Sequence, residues 1–461
     1  MEEVRIEKDT LGEIKVEVSK YWGPQTQRAK ENFEFSSHKM PIEIIYAIAI
    51  VKKAAASANA DLKAIPVDKA KLIIDACNEI IDGDYEDQFP LTIWQSGSGT
   101  QTNMNLNEVI ANLGHVLNGG NLTDNVKSLH PNDDVNKSQS TNDVFPTAMN
   151  LACFKVIAET TLPALVTLQT SLQQKASEFS NIIKSGRTHL MDATPVTLGQ
   201  EFSAYASQIA HGIDNIKSSI ELLKELPIGG TATGTGLNAP AGYDLKVIEY
   251  INKFTGYKFV VCHNKFEGLA VHDAINIVSG AIKTTAMSFF KIANDIRLLA
   301  SGPRCGIGEI ILPSNEPGSS IMPGKVNPTQ CEAVTMACAK ILGNDLTISF
   351  SNSQGHLELN TFKPVIVQCL IESAQLLAES ANSFNNQCLS GIRPNYDRIH
   401  ENLENNIMLV TALSPKIGYD KAAQIAKKAY DENKSLKQAA KELKYIREDQ
   451  FDKIVKPEKM V

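Results

Sequence analysis

A polar segment of the chain, residues 318–332 with the sequence GSSIMPGKVNPTQCE, combines features that suit the binding of an anion. Gly318 and Gly324 permit backbone angles that other residues resist, and Pro323 stiffens the part between them. The ammonium group of Lys325 adds a positive charge. Ser319 and Ser320 lie in the same segment, where a mobile loop would be able to close over a bound ligand.

The end of this segment predicts the start of a helix. Asn327 has the character of an N-cap, Pro328 of a first helical residue and Gln330 of the reciprocal capping partner. The free backbone N–H groups and the positive end of such a helix would point towards the charge of Lys325, which describes an anion site. Glu332 would lie about one and a half turns into the helix. The alternative is a surface loop that precedes a capped helix.

Other stretches are rich in small hydrogen-bonding side chains. Residues 95–105, QSGSGTQTNMN, offer closely spaced hydroxyl groups with little bulk, and residues 140–143, STND, open a long helical pattern. Both stretches also have a structural explanation, because Gly/Ser turns precede helices and Ser, Thr and Asn cap them. A cap needs only one of these residues, so the others remain available to donate hydrogen bonds to a carboxylate.

One of the 9 histidines differs from the rest in its setting. His189 lies in a predicted polar loop, beside Arg187 and Thr188 and near Asp192, between two long helical patterns. Seven of the others are interpreted as structural: His38, His115, His211, His263, His272, His356 and His400. A histidine, a glutamate, a lysine and many hydroxyl and amide donors suit the abstraction of a proton next to a carboxylate. Lys325 and Asn327 would stabilise the aci-carboxylate that forms as the proton leaves.

Segment 318–332 resembles the signature loop of the fumarase/aspartase superfamily, and specifically that of the class II, iron-independent fumarases. Residues 186–201, GRTHLMDATPVTLGQE, resemble a second block of the family, although glutamine is usual where Met191 stands. Residues 20–27 and 95–105 resemble two further blocks. The matching blocks occur in the same order and extend over nearly the whole chain.

The resemblance implies a fumarate hydratase that adds water to fumarate in the anti sense to give (S)-malate, a step of the citric acid cycle. Ser319 would act as the base at C3, while His189, paired with Glu332, would handle the water or hydroxyl at C2. Lys325 and Asn327 would stabilise the intermediate. The residues implied to bind the two carboxylates are Ser98, Gly99, Thr100, Ser140, Thr141, Asn142, Thr188, Ser320, Lys325, Val326 and Asn327.

A second carboxylate site is also implied by the resemblance, at His130, Pro131, Asn132 and Asp133. The family tends to have an arginine three residues before this histidine, where the present chain has Lys127. Lysine keeps the positive charge but lacks the planar fork of arginine. From the residues alone, Asn132 and Asp133 are equally well explained as caps of the following turn.

Composition limits the classes of partner. The formal net charge of −7 over 461 residues argues against nucleic-acid binding. We expect no membrane span, because no apolar run approaches about 18 residues, and the acidic N-terminus resembles no targeting signal. The 8 cysteines form no CxxC pairs, so we expect no metal site, no cofactor and a cytoplasmic location.

Long helical patterns joined by short polar loops predict an all-α fold. The resemblance implies the three-domain fumarase/aspartase-like fold, with a central long-helix bundle that forms a tetrameric core. We expect an N-terminal, mostly helical domain at 1–139, a central helical bundle at 140–395 and a small helical C-terminal domain at 396–461. In the implied homotetramer, each active site would draw on three subunits.

Two other readings compete with fumarase. Aspartases, which are ammonia-lyases on the same fold, tend to have glutamine at the position of His189 and alanine at that of Gly324, so both residues favour fumarase. A catalytically silent structural protein that reuses the fold, as some lens crystallins do, is the third. Every implied catalytic position holds a competent residue, which argues against it.

Overall fold

The computed structural model describes residues 3–34 and 36–461, and helices dominate it. Short two-stranded pairings connect some of the helices. The strands are β1 (Val4–Asp9), β2 (Gly12–Glu17), β3 (Ile183–Thr188), β4 (Met191–Thr197), β5 (Glu225–Leu226), β6 (Val260–Val261), β7 (Ile310–Ile311), β8 (Gly355–His356), β9 (Leu359–Asn360) and β10 (Arg393–Pro394). The pairs are β1–β2, β3–β4, β7–β10 and β8–β9, all antiparallel, and the parallel pair β5–β6.

The helices confirm the predicted all-α class. The α-helices are α1 (Pro24–Asn32), α2 (Ile42–Asp61), α3 (Val67–Ile81), α4 (Thr100–Leu117), α5 (Thr141–Val156), α6 (Leu162–Glu178), α7 (Leu198–Ile220), α8 (Tyr243–Thr255), α9 (Lys265–Ala270), α10 (Asp273–Leu299), α11 (Thr329–Asn352), α12 (Lys363–Gln387), α13 (Tyr396–Glu404), α14 (Ser414–Ile417), α15 (Tyr419–Asp431), α16 (Leu436–Leu443) and α17 (Glu448–Ile454).

The chain divides into two compact units. The first comprises Met1–Pro163, Asp214–Thr284 and Ala339–Ala378, and the second comprises Ala164–Ile213, Thr285–Cys338 and Glu379–Val461. Each change of unit falls within a long helix, namely α6, α7, α10, α11 or α12. The division into three domains at 139/140 and 395/396 stays a prediction.

The core of the first unit forms where α2 packs against α3, α4, α5 and α8. Alanine and isoleucine alternate along α2, so that most of its surface is apolar, and the small alanines let neighbouring helices approach closely. Ile44, Ile48, Val51 and Ala55 are fully buried there. Lys52, in the middle of this apolar run, is fully buried as well.

The helical stretch Thr141–Glu178 is long enough and has a high enough mean hydropathy to cross a membrane. Polar residues such as Asp143 and Lys155 interrupt it, so it is not a continuous apolar run. Of its most apolar window, 56% is buried inside the structure. Such burial is typical of a core helix, because a helix that is apolar on most sides must be covered by its neighbours.

The C-terminal region of the second unit is helical, as the lysine-rich pattern predicted. Helices α14 to α17 gather around a hydrophobic cluster of their own, which includes Leu413, Ile425, Ala429, Ala439 and Phe451. Lysine and glutamate pairs cover the outside of this cluster, for example Lys434 with Glu442. The interleaved charges are therefore a solvated surface over a small core.

Candidate active site

Segment 318–332 is a loop that its own backbone holds closed. The N–H of Gly318 donates to the carbonyl of Lys325 at 2.8 Å, and the side-chain amide of Asn327 donates to the carbonyl of Gly318 at 2.6 Å. A Cβ atom at Gly318 would lie 2.7 Å from the Lys325 carbonyl oxygen, so the closed loop requires glycine there. Gly324 turns the chain with a φ of 79°.

The predicted capping arrangement at the end of this loop is wrong. Helix α11 begins at Thr329, not at Pro328. The side chain of Asn327 reaches back to Gly318, and the side-chain oxygen of Gln330 accepts a hydrogen bond from the Ser383 hydroxyl at 2.9 Å. Local capping rules failed because both side chains have tertiary partners. Glu332 lies in the first turn of α11 and is exposed.

Ser319 is the residue whose oxygen the loop surrounds with donors. Its Oγ accepts hydrogen bonds from the backbone N–H groups of Ile321, at 3.2 Å, and Met322, at 2.9 Å. Hydrogen bonds donated to an oxygen favour its charged form over its neutral form. These two donors would stabilise negative charge on the Ser319 oxygen if its proton were removed. Ser320, Lys325 and Val326 lie on the exposed part of the same loop.

His189 lies at the tip of a β-hairpin, which corrects the predicted polar loop between helices. Strands β3 and β4 pair so that Thr188 faces Met191, and His189 and Leu190 form the two-residue turn between them. Both turn residues have positive φ, 59° and 61°, which is the geometry of a tight hairpin turn but is costly for residues other than glycine. The turn holds the imidazole of His189 out in an exposed position.

A buried cluster of charges anchors the strand that leads to His189. Arg187 donates to both carboxylate oxygens of Glu309, at 2.9 and 2.8 Å, and the Lys184 ammonium lies 3.1 Å from the same carboxylate. Lys184 and Glu309 are completely buried. Lys184 also donates to Glu201 at 2.8 Å, and the Asn402 amide donates to Glu309 at 3.0 Å.

The electrostatics of Glu309 follow from these partners. Burial alone would raise the pKa of Glu309, but the hydrogen bond from Arg187 and the charge of Lys184 outweigh it and hold the pKa below its usual value. The carboxylate therefore stays ionised in the interior. Sequence reasoning noticed Arg187 but missed Glu309, Lys184 and Asn402. Glu309 lies 122 positions from Arg187 and 93 from Asn402, and no local pattern joins residues so far apart.

Among the described residues, no hydrogen bond or ion pair joins the turn at 188–191 to segment 318–332. The structure thus places the predicted residues of the second unit in two groups. One group comprises Thr188 and His189, and the other comprises Ser319, Ser320, Lys325, Val326, Asn327 and Glu332.

In the first unit, the stretch at 96–100 forms a short chain of hydroxyl groups at the start of α4. The Ser98 hydroxyl lies 3.0 Å from that of Ser96 and 2.7 Å from that of Thr100. Gly99 precedes the helix with a φ of 80°, and Thr100 is the first helical residue. The hydroxyl groups therefore gather at the positive end of a helix, as a site for a carboxylate requires.

Gly97 fixes this stretch against the backbone of Thr361. Its carbonyl accepts the N–H of Lys363 at 3.1 Å, and an added Cβ would lie 1.5 Å from the Thr361 carbonyl oxygen. We expect Gly97→Ala to lower the free energy of unfolding by about 1–3 kcal/mol, because the backbone must shift. It should also weaken substrate binding, since Ser98 and Thr100 move with it.

Urea unfolding and KM measurements would check this expectation. Gly280→Ala is the matched control, because an added Cβ there meets no atom within 4 Å and the residue lies in a helix. Unchanged stability and KM in Gly97→Ala would show that the close approach does not constrain the loop.

Helix α5 begins next to this stretch with a complete capping box. The Ser140 side chain accepts from the first turn, and the Asp143 carboxylate accepts the N–H of Ser140 in return. The other Asp143 oxygen accepts the N–H groups of Gly229 and Thr231, at 2.8 and 3.0 Å. Sequence reasoning missed this role of Asp143, which ties the glycine-rich stretch after α7 to the start of α5.

The two remaining residues of that helix start have different surroundings. Asn142 donates to the carbonyl of Ala232 at 2.8 Å, so part of its hydrogen-bonding capacity is used by the fold. Thr141 is buried, and its hydroxyl accepts a hydrogen bond from the amide of Asn103 at 3.0 Å. This bond joins α4 to α5, so the structure brings the stretches at 98–100 and 140–142 together.

The implied second site lies along a cavity of about 1260 Å³ in the first unit. His130, Pro131 and Asn132 line it, as do Lys127 and Thr100. His130 Nδ1 accepts the backbone N–H groups of Asn132 and Asp133, at 3.3 and 3.1 Å. In a neutral imidazole this leaves the proton on Nε2, where it is able to bind an anion.

Two features of this region depart from the sequence interpretation. His130, rather than Asn132 or Asp133, caps the short π-helix at Pro131–Val135. The Lys127 ammonium contacts the carbonyls of Leu122 and Asn121, and is therefore partly occupied by the fold.

No group of three or more His, Cys, Asp or Glu side chains suited to a metal occurs among the described residues.

Two family models match the sequence of this chain. The model of a lyase family matches residues 12–343, and the model described as the fumarase C C-terminus matches residues 409–461. The class II fumarate hydratase of Pasteurella multocida is 58% identical over 99% of this chain and 98% of its own. That of Haemophilus ducreyi is 58% identical over 100% and 99%.

A solved structure is similar along the whole chain. The class II fumarase of Schistosoma mansoni superposes with a TM-score of 0.97 and 43% identity, over 99% of both chains. Full-length similarity at this level extends well beyond the signature segments. The chain therefore belongs to the class II fumarate hydratases within the lyase family.

Proposed function

We propose that the protein catalyses the reversible hydration of fumarate to (S)-malate. The observation that carries the proposal is the position of the Ser319 oxygen, which accepts two backbone N–H groups inside a loop closed by Gly318. A weak carbon acid needs a base that is preorganised and a site that stabilises the charge which follows. The relatives at 58% identity carry the same activity in their names.

In this mechanism Ser319 removes the proton at C3 of malate, and the electron pair moves into the adjacent carboxylate to give an aci-carboxylate. Lys325 and Asn327 stabilise the charge that accumulates there. His189, with Glu332, assists the loss of hydroxide at C2 and activates water in the reverse direction. The hydroxyl and amide groups of Ser98, Thr100, Ser140, Thr141, Asn142, Thr188 and Ser320 hold the two carboxylates.

We infer a homotetramer in which each active site uses several subunits, because no hydrogen bond or ion pair joins the His189 turn to the Ser319 loop among the described residues. His189 stands exposed at the tip of its hairpin, and most of the Ser319 loop is exposed as well. Helix α11 also carries large exposed apolar side chains four residues apart, at Leu342, Leu346 and Phe350. A face of this kind is typical of a subunit interface.

Four further proposals follow the family. His130, Pro131, Asn132 and Asp133 would bind a second dicarboxylate along the cavity, with Lys127 in the place of the usual arginine. We assign the protein to the cytoplasm, since all eight cysteines are free and seven of them are at least partly buried. Its reaction would belong to the citric acid cycle. The three predicted domains would then be the structural units of one subunit.

Ultraviolet absorbance of fumarate tests the function directly, with purified protein, no added metal, and malate or aspartate as the substrate. We expect fumarate to form from malate alone. Fumarate from aspartate would replace the proposal with the ammonia-lyase reading, and silence with both substrates would reject catalysis on either compound.

A further inference from the structure

A chain of hydrogen bonds leads from the buried Lys52 to Thr141, and the mechanism above does not use it. Lys52 is fully buried in α2, and its ammonium donates to Asn136 Oδ1 at 2.7 Å. Burial lowers the pKa of Lys52 to about 7, against the opposing charge of Asp143. Burying a charged side chain is costly, so an internal lysine with one amide partner calls for an explanation.

The orientation of the Asn136 amide is fixed from both ends. Its oxygen accepts a hydrogen bond from Lys52 Nζ, and its Nδ2 donates to the carbonyl of Gln139, which only accepts, at 3.2 Å. Turning the amide over would place two acceptors together and two donors together. Asn107 donates to the same oxygen at 3.2 Å, which adds to the preference.

This orientation is passed on to Asn103. Since Asn136 presents its oxygen, Asn103 must present its Nδ2, which lies 3.3 Å from Asn136 Oδ1 and 3.0 Å from Thr141 Oγ1. This orientation of Asn103 has an energetic cost, because its Oδ1 is buried without a hydrogen-bond partner in the described part of the chain. The donor orientation is thus imposed by the neighbours and not by the preference of Asn103 itself.

The consequence appears at the hydroxyl of Thr141. Because this oxygen accepts from Asn103, its own proton must point elsewhere, and the described residues show no hydrogen bond that this hydroxyl donates. A carboxylate oxygen accepts hydrogen bonds and cannot donate them. We propose that Lys52, Asn136 and Asn103 are positioning residues that hold the Thr141 hydroxyl as a donor to a substrate carboxylate. This inference rests on the proposed function, which places Thr141 against that carboxylate.

Asn103→Asp tests the inference by reversing one link. An aspartate at 103 can only accept, so the Thr141 proton turns towards it and is lost to the substrate. We expect KM for malate to rise about tenfold, which is the worth of one hydrogen bond to a charged group, with a smaller change in kcat. Thr141→Val should raise KM by a similar factor, and Asn103→Asp should add nothing in the Thr141→Val background.

Asn105→Asp is the matched control on the same helix. Asn105 is also buried, but its amide donates to the carbonyl of Gln88 at 3.1 Å, away from Thr141. Any change in KM that Asn105→Asp causes should be the same in the wild-type and the Thr141→Val backgrounds. If Asn103→Asp does not fold, Asn103→Ala removes the donor without supplying an acceptor. KM should then rise by less than in Asn103→Asp, and the rise should again disappear in the Thr141→Val background.

The possible outcomes separate this inference from the function on which it rests. Asn103→Asp could raise KM by the same factor in the wild-type and the Thr141→Val backgrounds. That result would overturn the positioning role, and the proposed function would still hold if the wild-type protein turns over malate. A wild-type protein that is inactive on malate would overturn the proposed function and this inference with it. The inference is supported if Asn103→Asp raises KM in the wild-type background but not in the Thr141→Val background.

Discussion

His189→Asn and Ser319→Ala are each expected to lower kcat for malate by a factor of about 10²–10⁴, which is the usual contribution of a positioned acid or base. Asparagine keeps much of the shape and polarity of histidine and tolerates the positive φ of 59° at the hairpin turn. Ser319→Ala removes the oxygen that Ile321 and Met322 surround with N–H groups.

The fold should survive both changes, because the two side chains are exposed or half-buried and belong to no hydrophobic core. Circular dichroism and sedimentation would establish that, while the ultraviolet assay measures turnover. His400→Asn is the control for a histidine outside the site, since it is exposed on α13 near Glu404. Wild-type turnover in both His189→Asn and Ser319→Ala would remove the catalytic assignment.

Glu309→Leu should cause the largest loss of stability, about 3–5 kcal/mol, since removing one partner of a buried ion pair leaves the others uncompensated. Lys184 would remain completely buried with Glu201 as its remaining carboxylate partner, and Arg187 would lose both hydrogen bonds to a carboxylate. The strand that carries His189 would loosen, so turnover should fall as well. Urea unfolding at a fixed protein concentration measures the change.

Glu432→Gln provides the control that separates burial from pairing. Glu432 also has two lysine partners, Lys428 and Lys434, each at 2.7 Å, but it is exposed. Exposed pairs are screened by water and contribute little, so unfolding should hardly change. If Glu309→Leu and Glu432→Gln lower the free energy of unfolding equally, burial of the Glu309 cluster adds nothing to its stabilising effect.

The contribution of Glu309 should also depend on pH in a defined direction. Its pKa is lower in the folded protein than in the unfolded chain, so folding favours the ionised form. The stability that it contributes is complete above the unfolded value of about 4.3 and is lost as the pH falls through the lower, folded value. The difference between wild type and Glu309→Leu should therefore shrink below about pH 4.3.

The sequence by itself determined the elements and the residue types of the site. Long apolar patterns at helical spacing predicted the all-α class, because a helix that must bury one face repeats its pattern every turn. The need for Gly324 also followed from the chain, since this residue turns the backbone with a positive φ. The need for glycine at 318 came from the structure, where the Lys325 carbonyl leaves no room for a Cβ.

Only the tertiary structure decided how those residues are held. Asn327 and Gln330 form hydrogen bonds with Gly318 and Ser383 instead of the predicted cap. His189 lies on a hairpin turn. Local sequence rules do not identify the roles of Glu309 and Asn103. Their roles come from partners that lie far away along the chain, and hydrogen-bond direction and burial are set by packing, which no short sequence pattern records.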